Sequence, residues 1–206
     1  SQFGEEKFIL SFFDKGYEGK FVDIGCFHPT RHNNTHEMYK KGWHGINIDL
    51  NPLAIDLFNF TRKKDININA AISDNEENKK LYFVDELNTQ NTLEANHLSF
   101  LKNHHNLKEE EISEQIIKTR RLDKILDSYN FKNIDFMNID VEGHELNILN
   151  SIDFSKYTIK FICIEMIDHN DQAKLINEKL NAILKMNGYV LEKKIDFNFI
   201  FKKDEL

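Results

Sequence analysis

Short apolar runs alternate with helical patterns along the chain. "KFVDIG" (20–25), "GINIDL" (45–50), "INAAIS" (68–73), "IDFMNID" (134–140) and "IKFICIEM" (159–166) read as strands. Amphipathic segments separate them, and that rhythm is the signature of βαβ units and a parallel sheet. "KLYFVD" (80–85) reads as an added strand. At the end of the chain "YVLEKKI" and "FNFIFKK" are two alternating strands joined at Asp196. So short a join requires an antiparallel hairpin. The expected class is α/β, a mostly parallel sheet with helices on both faces.

The helices carry their own punctuation. "TRHNNTHEMYKKGW" leads from a loop into a short helix, with Asn33, Asn34 or Thr35 as possible caps. Pro52 opens "PLAIDLFNFTRK", where proline suits a first helical turn. "HELNILNSI" follows the strand at 134–140. "DQAKLINEKLNAILKMNG" is strongly amphipathic and ends at Gly188, a glycine suited to a helix C-terminus. Residues 86–118 break the rhythm. They are polar, rich in Asn, His and Glu, and read as either a cover over a site or a surface insertion. With no Pro-rich linker and no repeat, the whole of 1–206 is expected to form one domain.

Composition narrows the function. The chain has 206 residues, of which 40 % are apolar, enough for one sizeable core. Its formal net charge is −7, and no Lys/Arg cluster stands out, which argues against a duplex nucleic-acid partner. The two cysteines, Cys26 and Cys163, lie in strand-like runs and make no disulfide framework. No apolar run approaches the roughly 18 residues of a membrane span. The first residues do not resemble a signal peptide, so a cytoplasmic location is expected. The closing "KDEL" is accordingly expected to be a charged tail rather than an address. "NHHN" (103–106) lacks helical ligand spacing and reads as a solvated loop rather than a zinc site.

Candidate chemistry gathers at strand ends, where open α/β sheets bind ligands. Asp23/Gly25, Asp49/Asn51, Ser73/Asp74, Asp140/Glu142 and Glu165 close five successive strands. A single acid there often just caps the next helix; the succession is the stronger signal. Gly25 lets a ligand approach the backbone. The G-x-G-x-x-G pattern of a dinucleotide site is absent, since Phe27 and Thr30 occupy the later glycine positions, and so is the P-loop pattern. Asp49, 24 residues beyond Gly25, sits where an acid reaches a ribose hydroxyl pair. A nucleoside without a diphosphate fits, and S-adenosylmethionine is such a ligand.

The blocks "SQFGEE", "FVDIGCFHP", "NNT", "YKKGWHGINIDLNP", "NAAISD", "RRLDKIL", "IDFMNIDVEGHELNIL" and "ICIEM" occur in an order that resembles the FkbM family of S-adenosylmethionine-dependent methyltransferases, over about residues 1–166. The resemblance implies a Rossmann-like class I methyltransferase fold with seven strands and a reversed final strand. It implies that Asp23, Gly25 and Cys26 line the methionine part of the cofactor, with Asn34 and Thr35 approaching from the first helix. Asp49 would take the ribose hydroxyls, Leu50 and Asn51 would lie beside the adenine, and Ala71, Ile72 and Ser73 would close around it. Gln2 would fold back over the cofactor, and Glu142 would bind its amino group or orient the substrate. The chain departs from the family at "GCFHP", where many members carry Gly-Ala-Asn-Asp-Gly, so the shape of the first loop is open.

Methyl transfer to a hydroxyl needs alignment and a proton acceptor. Asp140, Glu165, His169 and His28 are the candidate bases. Asp140 is expected at the end of the strand beside strand one, with Gly143 allowing the corner after it. Glu145 reads as a helix N-terminal acid, and His144 as structural rather than catalytic. A divalent cation such as Mg²⁺ on Asp140, Glu165 and His169 is the less favoured arrangement, and no metal ligands are assigned. The leading reading is an O-methyltransferase acting on a small polar acceptor, a sugar or glycan-linked group; the acceptor rests on family analogy. The alternatives are a nicotinamide-dependent oxidoreductase or epimerase, and a nucleoside-binding module without turnover.

Overall fold

A computed structural model describes residues 4–83, 93, 112–168 and 170–204. Seven strands form one sheet: β1 (Lys20–Ile24), β2 (His44–Asp49), β3 (Ile66–Asn69), β7 (Asn133–Ile139), β8 (Thr158–Glu165), β9 (Tyr189–Ile195) and β10 (Asn198–Lys203). Their order is β3-β2-β1-β7-β8-β10-β9. β1, β2, β3, β7 and β8 run parallel, and β10 runs against both β8 and β9. Strand order reverses between β1 and β7, which opens a crevice at their carboxyl ends.

The run at 68–73 does not form one strand. β3 ends at Asn69, the Ala70 amide donates to the Asp49 carbonyl (3.0 Å), and β4 (Ala71–Ile72) leaves the main sheet. β4 pairs with Thr119 and Arg120 of β6 (Ser113–Arg120). β6 pairs antiparallel with β5 (Asn78–Phe83), so the added strand read at 80–85 belongs to a separate three-stranded sheet. The end of the polar stretch at 86–118 is therefore a strand. Of the remainder, Leu93 and Ile112 fall within the described residues.

Strand residues alternate between two cores. Val22, Ile24, Ile46, Ile48 and Ile139 face α4 (Leu122–Ser128), α5 (Glu145–Asn150) and α6 (Asp171–Met186), through Leu122, Ile148 and Leu180. Phe21, Phe136 and Phe161 face the opposite way, onto Ile9 of α1 (Glu5–Leu10), Met38 of α2 (His36–Lys40) and Trp43. Each fully buried phenylalanine contributes about 1.5–3 kcal/mol relative to exposure. With both faces covered, β7 is buried along nearly its whole length and shows no clean polar alternation.

The punctuation behaves as its chemistry requires. Asn51 caps α3 (Pro52–Thr61), its side chain accepting from the Leu53 amide at 2.9 Å, with Pro52 in the first turn. Asn170 caps α6 in the same way, and Gly188 follows that helix at φ 72°. Thr35 precedes α2 but makes no side-chain cap bond, because its hydroxyl is engaged elsewhere.

Candidate active site

The ends of β1, β2 and β7 and the start of β4 enclose a cleft of about 1120 Å³, the solvent at its mouth included. Gly25, Asp49, Leu50, Asn51, Ala71, Ile72, Asp140, Glu142 and Glu165 line it, all of them residues singled out from the sequence. Apolar walls come from Ile24, Phe27, Ile48, Val141 and Ile148, with Leu93 from the polar stretch.

Asp49 builds the mouth of β2. Its Oδ2 accepts from the Phe27 amide (2.8 Å) and its Oδ1 from the Asn51 amide (2.8 Å). Each oxygen keeps a lone pair for a ligand. Burial raises its pKa to about 6, against the pull of those two amides. Gly25 is required for a reason the sequence did not reveal. It sits at φ 76°, and a Cβ there would lie 1.7 Å from the Asp140 carbonyl oxygen. The close approach is between the ends of β1 and β7, not only towards a ligand.

The corner after β7 is strained. Glu142 (φ 53°) and Gly143 (φ 95°) both lie in the left-handed region, and for Glu142 that costs on the order of 1 kcal/mol. The buried Glu145 holds the corner, its Oε1 accepting from the Gly143 amide at 3.1 Å at the N-terminus of α5. His144 is buried, and its Nε2 lies 3.1 Å from Ser73 Oγ, which ties this corner to the chain after β4. It is a wall of the cleft with a structural bond.

Several residues expected at the cofactor stand behind the wall. Asp23 is buried and accepts from Asn33 Nδ2 (2.9 Å), Thr35 Oγ1 (2.9 Å) and Asn138 Nδ2 (3.0 Å). Arg62, 1 % exposed, donates to Thr35 Oγ1 (2.7 Å), Asn33 Oδ1 (2.6 Å) and the Pro29 carbonyl (2.5 Å). This knot fixes the first loop, the "GCFHP" turn after β1. His28 turns inward on that loop, its Nδ1 accepting from the Thr30 and Arg31 amides (both 3.1 Å), and lines neither cavity. Cys26 packs against Ile55 and Phe58, and burial pushes its thiol up. Ser73 is engaged with Asp74 (3.0 Å) and His144. So Asp23, Cys26, Thr35 and Ser73 support the cleft from outside it. Arg62 and Asn138 were missed, because an isolated Arg after a helix and an Asn within a strand carry no sequence signal. Gln2 and His169 lie outside the described residues.

A second, smaller cavity adjoins the first. Glu5, Asn34, Asp196, Phe197 and Asn198 line it, and it shares His32, Asp140 and Glu165 with the cleft. Asn34 is held by its bond to Asn138 Oδ1 (3.0 Å), and Asn198 by its bond to Glu5 Oε1 (2.8 Å). Asp140 and Glu165 thus stand at the junction on adjacent strands, with no side-chain hydrogen bond to the described residues. Burial, and then the neighbouring acids, push both carboxyls up, Asp140 well above its usual range and Glu165 to about 10. Among the described residues lining either cavity there is no Lys or Arg. No three His, Cys, Asp or Glu side chains of the described residues converge as a metal site.

The profile of the Methyltransferase FkbM domain matches residues 23–191. The chain belongs to the FkbM methyltransferase family. It is an S-adenosylmethionine-dependent methyltransferase with the Rossmann-like class I fold. Among solved structures, the chain is similar to a TehB-like SAM-dependent methyltransferase from Corynebacterium glutamicum (12 % identity, TM-score 0.50, 99 % of this chain and 89 % of that one). It is also similar to a methyltransferase FkbM from Methylobacillus flagellatus (14 %, TM-score 0.49, 90 % of this chain and 43 % of that one). A third is the Burkholderia thailandensis 1,6-didemethyltoxoflavin-N1-methyltransferase, solved with S-adenosylhomocysteine (8 %, TM-score 0.47, 98 % and 77 %). No curated protein matches the chain. No helix among the described residues is long and apolar enough to cross a membrane.

The donor set of this FkbM methyltransferase fits its cofactor. A sulfonium and an ammonium are complemented by carboxylates with no Lys or Arg among the described lining residues, whereas a nicotinamide dinucleotide would bring a diphosphate into the same acidic field. Because Asp140 and Glu165 have raised pKa values, a cationic ligand must lower them, and binding should expel protons. S-adenosylmethionine is therefore expected to bind more tightly as pH rises and to release more protons at pH 7 than S-adenosylhomocysteine, which lacks the sulfonium charge. Calorimetry in two buffers of different ionisation enthalpy measures this; buffer-independent heats for both ligands would contradict it. The unliganded fold carries the opposite trend. Its raised carboxyls favour the folded state below about pH 4, and that contribution is lost as pH climbs through about 6 for Asp49 and about 10 for Glu165.

Proposed function

We propose that this enzyme transfers a methyl group to a hydroxyl oxygen of a small polar acceptor, a sugar or a glycan-linked group, in the cytoplasm as a single-domain protein. The observation that carries this reading is the junction of two cavities at Asp140 and Glu165. The donor cleft lies on one side. On the other, Asn34 and Asn198 amides and the half-exposed Phe197 ring offer the hydrogen-bonding and apolar contacts that a sugar needs.

When bound, S-adenosylmethionine supplies an electrophilic methyl group. Asp49 takes the ribose hydroxyls through its free lone pairs, and Leu50, Asn51, Ala71 and Ile72 flank the adenine. Glu142 faces the methionine end. The Asp140–Glu165 pair, ionised beside the cation, takes the proton of the acceptor hydroxyl as the C–O bond forms. Such a base contributes on the order of 10²–10⁴-fold, and alignment in a closed site several kcal/mol more. The two carboxyls titrate as a pair, so the proton belongs to both.

Tritiated S-adenosylmethionine incubated with a panel of hexoses, hexosamines, amines and thiols tests this reading. Label in a base-stable methyl ether of a sugar supports it. Label only in amine or thiol acceptors would overturn the oxygen assignment.

A further inference from the structure

One residue of the donor cleft is aromatic without a core to fill. Phe27 lines the cleft on the loop after β1, two residues beyond Gly25. It belongs to none of the three hydrophobic clusters and is only partly buried. Its backbone is at φ 50°, in the left-handed region, where a bulky side chain is an outlier. Asn or Gly adopts that conformation with less strain. Such strain persists where the surroundings over-determine it, and it gathers at ligand sites. Here the surroundings are bonds on both sides of the residue. The Phe27 amide donates to Asp49 Oδ2 at 2.8 Å, the His28 amide to the Cys26 carbonyl at 2.6 Å, and Arg62 Nε to the Pro29 carbonyl at 3.1 Å.

Elsewhere the fold sets cations over its phenylalanines. Lys193 Nζ lies 4.5 Å from the centre of the Phe8 ring, the Arg62 guanidinium carbon 4.9 Å from that of Phe58, and Lys202 Nζ 5.5 Å from that of Phe12. No Lys or Arg of the described residues stands over Phe27 in this way. Its ring contact is with the His28 imidazole, the centroids 6.2 Å apart. That imidazole is not a competing cation. Its Nδ1 accepts from two amides, and burial, then Arg31 and Arg62, push its pKa down.

The cleft has a place for a cation at this point. β1 lies between β2 and β7, so the loop leaving β1 stands between Asp49 on one side and Asp140 on the other. In S-adenosylmethionine the sulfonium is joined to the ribose through one carbon. A ribose on Asp49 therefore brings the sulfonium beside the residue whose amide that same carboxylate accepts.

We propose that the Phe27 ring receives the donor sulfonium in a cation–π contact, and so selects the charged donor over its neutral product. The inference rests on the reading above that Asp49 takes the ribose, and it names a specificity-determining residue of the same cleft. A ring face attracts a cation and has no such attraction for a thioether. S-adenosylhomocysteine keeps the adenosine and the amino-acid end and lacks only the methyl group and the sulfonium charge. Once the methyl group has gone to the acceptor the contact weakens, which favours exchange of product for fresh donor.

The test is calorimetric titration of S-adenosylmethionine and of S-adenosylhomocysteine, at one pH, into the full chain as wild type, Phe27→Leu, Phe27→Tyr and Asp49→Ala. Leucine keeps apolar bulk and the same backbone strain but has no ring face. Phe27→Leu is expected to lose about fivefold in donor affinity and less than about twofold in product affinity, whereas Phe27→Tyr keeps the wild-type ratio of the two. Equal losses for both ligands in Phe27→Leu would make the ring a wall for the adenosine and overturn the inference. So would unchanged affinities in Phe27→Leu beside losses in Asp49→Ala, which leave the ribose reading intact. Unchanged affinities in all three variants would overturn both. Should Phe27→Leu fail to fold, ring-fluorinated phenylalanines at position 27 carry the test, because fluorine drains the ring face with little change of shape. The donor-to-product ratio is expected to fall with each added fluorine, and a constant ratio would overturn the inference.

Discussion

Asp140→Asn is expected to lower methyl transfer by about 10²–10⁴-fold while S-adenosylhomocysteine still binds. The residue follows β7 and sits where both cavities meet. Its side chain makes no hydrogen bond to the described residues, so the amide leaves no broken network behind. Asparagine keeps the shape and removes the proton acceptor. The raised pKa has its first cause in burial and then in Glu142 and Glu145, and replacing one acid also lowers the repulsion on Glu165. Initial rates with labelled donor, beside a calorimetric affinity, separate chemistry from binding. A loss below tenfold would shift the base to Glu165. Equal loss of rate and affinity would make Asp140 a binding group.

Arg62→Met is expected to destabilise the fold by about 3–5 kcal/mol, the range for removing one partner of a buried charged network. Methionine matches the stem and deletes the guanidinium. Asp23 then stays buried without its compensating positive charge, and the Pro29 carbonyl and Asn33 Oδ1 each lose a donor. Asp65, 4.0 Å away, loses its ion partner as well. The rings of Phe58 and Tyr39 lie 4.9 and 5.3 Å from the guanidinium carbon and offer a methionine only apolar contact. Denaturant unfolding measures the difference, and on thermal melts it should approach 10 °C or more. A change under about 1 kcal/mol would mean that the first loop does not depend on this knot.

The fold was legible because period and punctuation agreed. Apolar runs gave five parallel strands, and the short join at Asp196 gave the reversed one. The split of 68–73 was not legible, since Ala70 breaks no pattern. Only the chain-distant partner at Thr119 and Arg120 draws Ala71 and Ile72 out of the main sheet. At the site, acids at strand ends could be read because topology brings such ends together. Glu145 stands at a helix N-terminus as its position suggested, and His144, read as structural, lies 3.1 Å from Ser73 Oγ. Asp23, Thr35 and Ser73 look like ligand groups in sequence but satisfy one another or their neighbours in the fold. Side-chain pairing across about 100 residues, as between Asn34 and Asn138, leaves no local trace. Arg62 was hidden for the same reason.

We propose that the strand-end cleft holds the methyl donor through Asp49. The most direct measurement is calorimetric titration of S-adenosylhomocysteine into the wild type and Asp49→Ala. The expected result is micromolar binding to the wild type, weakened at least tenfold in the variant. Binding of similar strength in both would move the ribose away from β2, and a wild type that binds NADH but not S-adenosylhomocysteine would contradict the account.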